Sequence, residues 1–270
     1  MADRVSVTVE SGVADVRMVR AEKMNAIDPA MFLALAETGE ELKSRRDVRA
    51  VVLSGEGRAF CAGLDMDSMQ QLAAPSNDSR DTVLDDAAKR TAAGANLAQQ
   101  ACYVWREVPV PVIAAVHGVA YGGGFQLTLG ADIRIVAPDV RLAIMEIKWG
   151  LVPDMSGIVL LRRLVRDDVA RELTWTGRIL DGEEAVQLGI ATRVADDPRA
   201  AALAMAREIA SKSPDAIRAG KRLLNLAQTD ATAAEIFLAE SSEQRALIGG
   251  ANQIESVMAN FEKRPPVFND

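Results

Sequence analysis

Two carboxylates and a run of glycines are the residues of this 270-residue chain whose type and spacing could do chemistry. Glu146 lies in Ala143-Ile144-Met145-Glu146-Ile147, a charged residue inside an apolar stretch. A carboxyl desolvated there has a raised pKa and can move protons near neutral pH. Taken alone, such a residue is more often a surface carboxylate on an edge strand. Asp154 follows Val152-Pro153 in a glycine-flanked loop, just before a helix expected to begin near Ser156. In isolation it reads as a helix N-cap. The third feature is Val108 to Val136, where a buried strand, Val112 to Val116, leads into Gly122-Gly123-Gly124, a short helix-like stretch and a second apolar strand. Glycines opening a helix bring bare backbone close to a ligand and aim free N–H groups at it, which holds negative charge developing on an oxygen. The competing reading is a tight turn packed on a neighbouring strand.

Other chemistries find less support. His117 is the only histidine and follows an apolar strand, so it reads as a hydrogen-bonded structural residue. No Gly-x-Ser-x-Gly elbow occurs, and one His with two distant cysteines gives no metal-ligand spacing. The triple glycine lacks the last glycine of a dinucleotide fingerprint and the Lys-Ser/Thr pair of a phosphate loop.

The elements that must position these residues alternate. Residues 5–10 and 13–19 form a hairpin around Ser11-Gly12. Asp28-Pro29 caps and opens a helix running to about Lys43, and Ala50 to Leu53 is a buried strand ending at Gly55. Residues 73–81 read as a polar loop, before a long helix expected from about Thr82 to Glu107. Strand–helix alternation continues to about Val194, which argues for α/β layers. Four helices are then expected, over 198–211, 214–227, 230–247 and 250–261. The chain therefore divides, on this reading, into an α/β core over 1–197 and a helical subdomain over 198–270.

Composition is that of a globular protein, with 49% hydrophobic and 26% charged residues. The net charge of −7 argues against a nucleic-acid partner. Two cysteines without framework spacing, no signal-peptide pattern and no membrane-length apolar run point to a reduced, cytoplasmic setting.

Together these residues resemble the crotonase superfamily, the enoyl-CoA hydratase/isomerase family. The resemblance is carried by Arg20-Ala21-Glu22-Lys23-Met24-Asn25-Ala26-Ile27, Phe60-Cys61-Ala62-Gly63-Leu64-Asp65, the run 108–136, Glu146 to Gly157, Leu173 to Arg178, and Glu262-Lys263-Arg264. It implies an α/β fold, a spiral core of repeated ββα units with C-terminal helices that form trimers, often paired into hexamers. It also implies an acyl-CoA thioester as substrate, with no separate cofactor. By motif position Leu64 and Gly123 would supply the N–H groups of an oxyanion hole. Coenzyme A would be held by backbone around Met24 and Ala26, by Ala62 and Asp65, and by Lys263.

The resemblance also frames the reaction. Family hydratases use two glutamates around a water, and those positions are Glu146 and Gln126 here. An amide can hold a water but cannot act as its base. The dienoyl-CoA isomerase branch has an acid/base pair at the positions of Glu146 and Asp154. The expectation is double-bond isomerisation, with those two shuttling the proton and Gln126 positioning substrate or water. The alternatives are enoyl-CoA hydratase and, more remotely, a non-catalytic acyl-CoA binder.

Overall fold

A computed structural model describes residues 4–73 and 90–270. The chain opens with strands β1 (Val5–Glu10) and β2 (Val13–Met18), paired antiparallel with Glu10 opposite Val13. Ser11 and Gly12 both have positive φ, the geometry a two-residue hairpin needs to match strand twist. Helix α1 (Pro29–Ser44) starts where Asp28 accepts the Met31 N–H at 2.8 Å and Pro29 fills the first turn.

From β2 onward the chain winds as a spiral that lays down two ladders at once. The main sheet runs β1-β2-β3-β4-β6-β8, and every pair after the hairpin is parallel. Its later members are β3 (Ala50–Gly55), β4 (Val112–Val116), β6 (Ile133–Val136) and β8 (Arg193–Val194). A second, shorter ladder pairs β5 (Val119–Tyr121) with β7 (Arg141–Ala143). Single bridges extend it, Ile27 to Leu64, Cys61 to Ala120 and Leu142 to Leu180. Each turn thus gives one strand to the main sheet and one segment to the second ladder. The expected α/β spiral is the fold observed.

The sheet is covered on both sides. Helices α2 (Met66–Ala73), α6 (Asp167–Thr176) and α7 (Gly182–Gln187) lie in the connections, and one face of the sheet packs under α1 and α3 (Leu97–Glu107), with Leu35, Leu53, Val104, Trp105 and Phe125 in a single core. The other face carries Val13, Ala50, Val52, Ile113, Ala115 and Ile135, closed by Ala202, Ala206 and Ala210 of α8 (Pro198–Ala210). Alanines four residues apart form one thin helical face, so the helix lies close on the strands. The boundary expected at 197/198 therefore meets no break in packing, because α8 is a layer of the core. The next helix, α9 (Pro214–Ala227), is also anchored there, through buried Lys221 hydrogen bonded to Val110 O at 2.9 Å and Asp132 at 2.7 Å. Helices α10 (Ala233–Leu247) and α11 (Ala251–Glu262) stand further out, and α10 buries no residue.

The start of the expected long helix, residues 82–89, and most of the loop over 73–81 lie outside the described residues. Within them the helix begins only at Leu97, because Asn96 and Gln99 form a reciprocal capping box at that point.

Candidate active site

The glycine run sits between the two ladders. Gly122 has φ 53° and ψ −119°, a backbone state that L side chains avoid, and helix α4 (Gly123–Gly130) begins at the next residue. Space is as short as conformation. A Cβ on Gly124 would lie 2.4 Å from the carbonyl oxygen of Cys61, and one on Gly63 would lie 2.6 Å from that of Tyr121. The glycines let the segment 61–65 lie directly against the start of α4.

That contact joins two free donors. The Gly63 carbonyl accepts from Ile27 N at 2.8 Å and Asp65 N donates to Ile27 O at 2.9 Å. Alternate N–H groups of an extended segment point to opposite sides, so the Leu64 N–H faces away from Ile27. Neither Leu64 N–H nor Gly123 N–H meets an acceptor among the described residues. Gly123 is the first residue of α4, where an N–H has no intrahelical partner.

Glu146 follows the second ladder. It is the first residue of a 3₁₀ turn, Glu146–Trp149, three residues beyond the end of β7, and not a residue of an edge strand. It is 9% exposed. Its Oε1 accepts from Gln126 Nε2 at 2.6 Å, and its Oε2 is buried without a hydrogen-bond partner. Burial is the main cause that raises its pKa above the usual carboxylate value, and the charge of Asp154 adds to the rise.

Gln126, on α4, is the hub of this arrangement. Its Oε1 accepts from Met155 N at 2.8 Å and from Gly157 N at 2.9 Å, so it caps α5 (Gly157–Leu161) from outside. Two N–H groups fix which end of the amide is oxygen, and its NH₂ must then face Glu146. Its polar atoms are thus largely committed to protein, a narrower role than positioning substrate or water.

Asp154 stands in the loop that Gln126 secures. The N-cap position of α5 belongs to Ser156, and Asp154 makes no capping bond. Its side chain is open to solvent on one side and walled by protein on the other, and that loss of water raises its pKa. Ser156 adopts φ 68° and donates its Oγ–H to Gln99 O at 3.0 Å, a left-handed residue pinned beside the acid. No feature of the sequence marks Ser156 for that conformation.

The residues expected around coenzyme A are gathered in part. Ala62 N donates to Met24 O at 2.9 Å, and Ala26 O accepts from Arg20 at 3.0 Å. Asp65 is 3% exposed; its carboxylate takes Arg20 Nη1 at 2.6 Å and Asp67 N at 2.9 Å. Its backbone N and O are bonded to Ile27 and Met69. Asp65 therefore shapes the loop from within. Arg20, which opens the motif, is the partner that sequence reasoning left unnamed. Lys263 is the exposed, left-handed C-cap of α11, and its side chain makes no hydrogen bond or ion pair among the described residues. His117 meets the Gly57 carbonyl through Nε2 at 2.9 Å, a structural contact.

Among the described residues no group of three or more His, Cys, Asp or Glu side chains could hold a metal ion, and no helix is long and apolar enough to cross a membrane.

Comparison with known proteins adds three relatives to this geometry. The family model described as enoyl-CoA hydratase/isomerase matches residues 8–270. Mouse mitochondrial Delta(3,5)-Delta(2,4)-dienoyl-CoA isomerase is 33% identical over 265 residues, spanning 95% of this chain and 79% of that protein. The 1,2-epoxyphenylacetyl-CoA isomerase of Escherichia coli K12 is 32% identical over 266 residues, 96% of each chain. The solved structure of an enoyl-CoA hydratase from Mycobacterium smegmatis superposes with a TM-score of 0.83 at 29% identity, covering 98% of both chains.

Proposed function

The chain belongs to the enoyl-CoA hydratase/isomerase family, and from that premise we propose that it shifts a double bond in an enoyl- or dienoyl-CoA by proton transfer through a thioester enolate. The observation that carries this reading is the state of Glu146, one oxygen tied to an amide and the other buried and unpartnered. A carboxylate so held leaves one oxygen free to take a proton.

In this scheme Glu146 Oε2 removes a proton from the carbon next to the thioester carbonyl. The electron pair moves onto the carbonyl oxygen, which the N–H groups of Leu64 and Gly123 receive. Each such donor is worth about 3 kcal/mol of barrier in a dry site. The electrons then return through the conjugated chain, and Asp154 delivers a proton at its far end. A raised pKa suits Asp154 to that task, since more of it is protonated near neutral pH. Water takes no part in the reaction, so an amide at position 126 does no harm. Backbone around Met24, Ala26 and Ala62 would line the coenzyme A. The exposed apolar residues of α10 and α11, among them Phe237, Leu238 and Phe261, would be covered by further copies in a trimer or hexamer.

Hydration of a 2-enoyl-CoA is the second reading, favoured by the same unpartnered Oε2, which could equally activate a water. The two differ in what Asp154 does. In deuterium oxide, the isomerase reading predicts that Asp154→Asn still exchanges hydrogen at the carbon beside the thioester while forming no isomer. It predicts that Glu146→Gln does neither. Unimpaired exchange in Glu146→Gln would refute the reading.

A further inference from the structure

Beyond the C-terminal end of α4, a cavity of about 840 Å³ opens between the end of α3, the turn from α4 into β6, and helices α5 and α9. Its charge runs against that of the protein. Five cations line it, Arg106, Arg134, Arg162, Arg163 and Lys221, against two carboxylates, Glu107 and Asp132, in a chain of net charge −7. The carboxylates are already engaged, Glu107 with Lys43 at 2.5 Å and Asp132 with Lys221 at 2.7 Å. Arg163 pairs with Asp230 at the rim.

Arg134 is the unusual member. It is 6% exposed and has no carboxylate partner among the described residues. Its Nε and Nη1 donate to the carbonyls of Ile190 and Ala131, and its Nη2 has no acceptor among the described residues. Arg106 likewise makes no side-chain hydrogen bond or ion pair among the described residues; its charge repels Arg134 and Lys221, while Asp132 attracts both more strongly but is bonded to Lys221 and not to Arg134. Burial already draws the Arg134 guanidinium down to about 10. A desolvated cation beside a like charge is a costly arrangement unless an anion completes it. Leu129, Leu160, Leu164, Ile209 and Leu224 are among the apolar residues of the wall.

We propose that this cavity is a second ligand site that takes an amphipathic carboxylate, its head on Arg106 and Arg134 and its hydrocarbon tail along Leu129, Leu160 and Leu224. The cations supply charge-assisted donors and the leucines supply apolar surface, the combination that fixes both the orientation and the class of a ligand.

Decanoate is the probe, titrated calorimetrically into the full-length protein. One saturable site per chain is expected, with affinity falling at least about tenfold in Arg106→Gln, since a hydrogen bond to a charged group is worth that factor or more. Decanol, of equal length without the charge, should bind at least about tenfold more weakly than decanoate. Leu224→Gln, an exposed change that leaves the cations intact, should weaken decanoate as well. Absence of saturable binding, or decanoate affinity unchanged in Arg106→Gln, would overturn the proposal. So would a smaller particle mass for Arg106→Gln in sedimentation with decanoate affinity unchanged, which would make the missing anion a side chain of a second copy.

Discussion

Gln126 Nε2 donates to Glu146 Oε1 over 2.6 Å, while the Gln126 carbonyl oxygen holds the N–H groups of Met155 and Gly157. One buried amide thereby ties the carboxylate at the end of the second ladder to the loop that carries Asp154. It also selects Oε2 of Glu146 as the free oxygen. The two acids feel each other through this frame, since the charge of Asp154 raises the pKa of Glu146.

Gln126→Glu should keep both backbone contacts and lose the attraction. A second carboxylate would stand where the Nε2 donor lies 2.6 Å from Glu146 Oε1. Two like charges that close share a proton and titrate as a pair. The acid limb of kcat/KM should move to higher pH in this variant with little change in melting temperature. Gln126→Ala should instead lower the melting temperature, because each orphaned buried group costs about 1–3 kcal/mol. An unchanged pH profile in Gln126→Glu would show that the amide does not set the state of Glu146.

The pH dependence of the wild-type protein follows from Glu146 itself. Burial raises its pKa, and catalysis needs it ionised, so the acid limb of kcat/KM should lie above about 4.3, the value of a free glutamate. Stability carries the opposite sign. Between the unfolded and folded pKa values the unfolded chain has lost the proton that the native chain keeps, so stability falls as pH rises through that window. Glu146→Gln has no such proton to lose. Its melting temperature relative to wild type should climb from acidic to neutral pH, while turnover disappears.

The two N–H groups proposed to hold the oxyanion can be separated by one methyl group. A Cβ on Gly124 would meet the Cys61 carbonyl at 2.4 Å and the Cys61 side chain at 2.9 Å, and backbone cannot swing aside as a side-chain tip can. Gly124→Ala should push the segment 61–65 away from α4 and lower kcat about a hundredfold, the typical loss for one displaced donor. Circular dichroism would report whether the fold survives.

These glycines show what a sequence reveals and what it withholds. The hairpin at Ser11-Gly12, the capped start of α1, the strand Val112–Val116 and the helices after Pro198 all rest on local signals, and each is observed with ends within a few residues. The glycine run and the two acids are visible for the same reason, as residues whose type is odd for their place. The partners are not visible. Nothing local indicates that Gln126 spends its carbonyl on Met155 and Gly157, that Arg20 neutralises Asp65, or that α8 closes the sheet, because each contact joins residues far apart in the chain. The helix expected from Thr82 fails within the described residues because the Asn96–Gln99 capping box starts it at Leu97.

The Arg20–Asp65 pair should hold the loop that carries Leu64. The two side chains are 11% and 5% exposed and meet at 2.6 Å. Burial alone would push the Asp65 carboxyl up, but Arg20 and the Asp67 N–H hold it below the usual range. A depressed native pKa gives stability that is present above the unfolded pKa and lost as pH falls through the native one. Asp65→Asn should therefore destabilise the protein by about 3 kcal/mol at neutral pH, the scale for breaking a buried ion pair, and the deficit should shrink in acid. Denaturant melts across that range measure it. A deficit independent of pH would remove the ion pair from the account.

The measurement that bears most directly on the Glu146–Asp154 assignment is turnover of two substrates side by side, 3,5-dienoyl-CoA and 2-enoyl-CoA, followed by ultraviolet absorbance. A Glu146–Asp154 isomerase should give growth of the conjugated 2,4-dienoyl product with little loss of the 2-enoyl thioester, and loss of that growth in Asp154→Asn. Steady consumption of the 2-enoyl thioester without any 2,4-dienoyl product, abolished by Glu146→Gln, would contradict it and make the protein a hydratase that works with an amide at position 126.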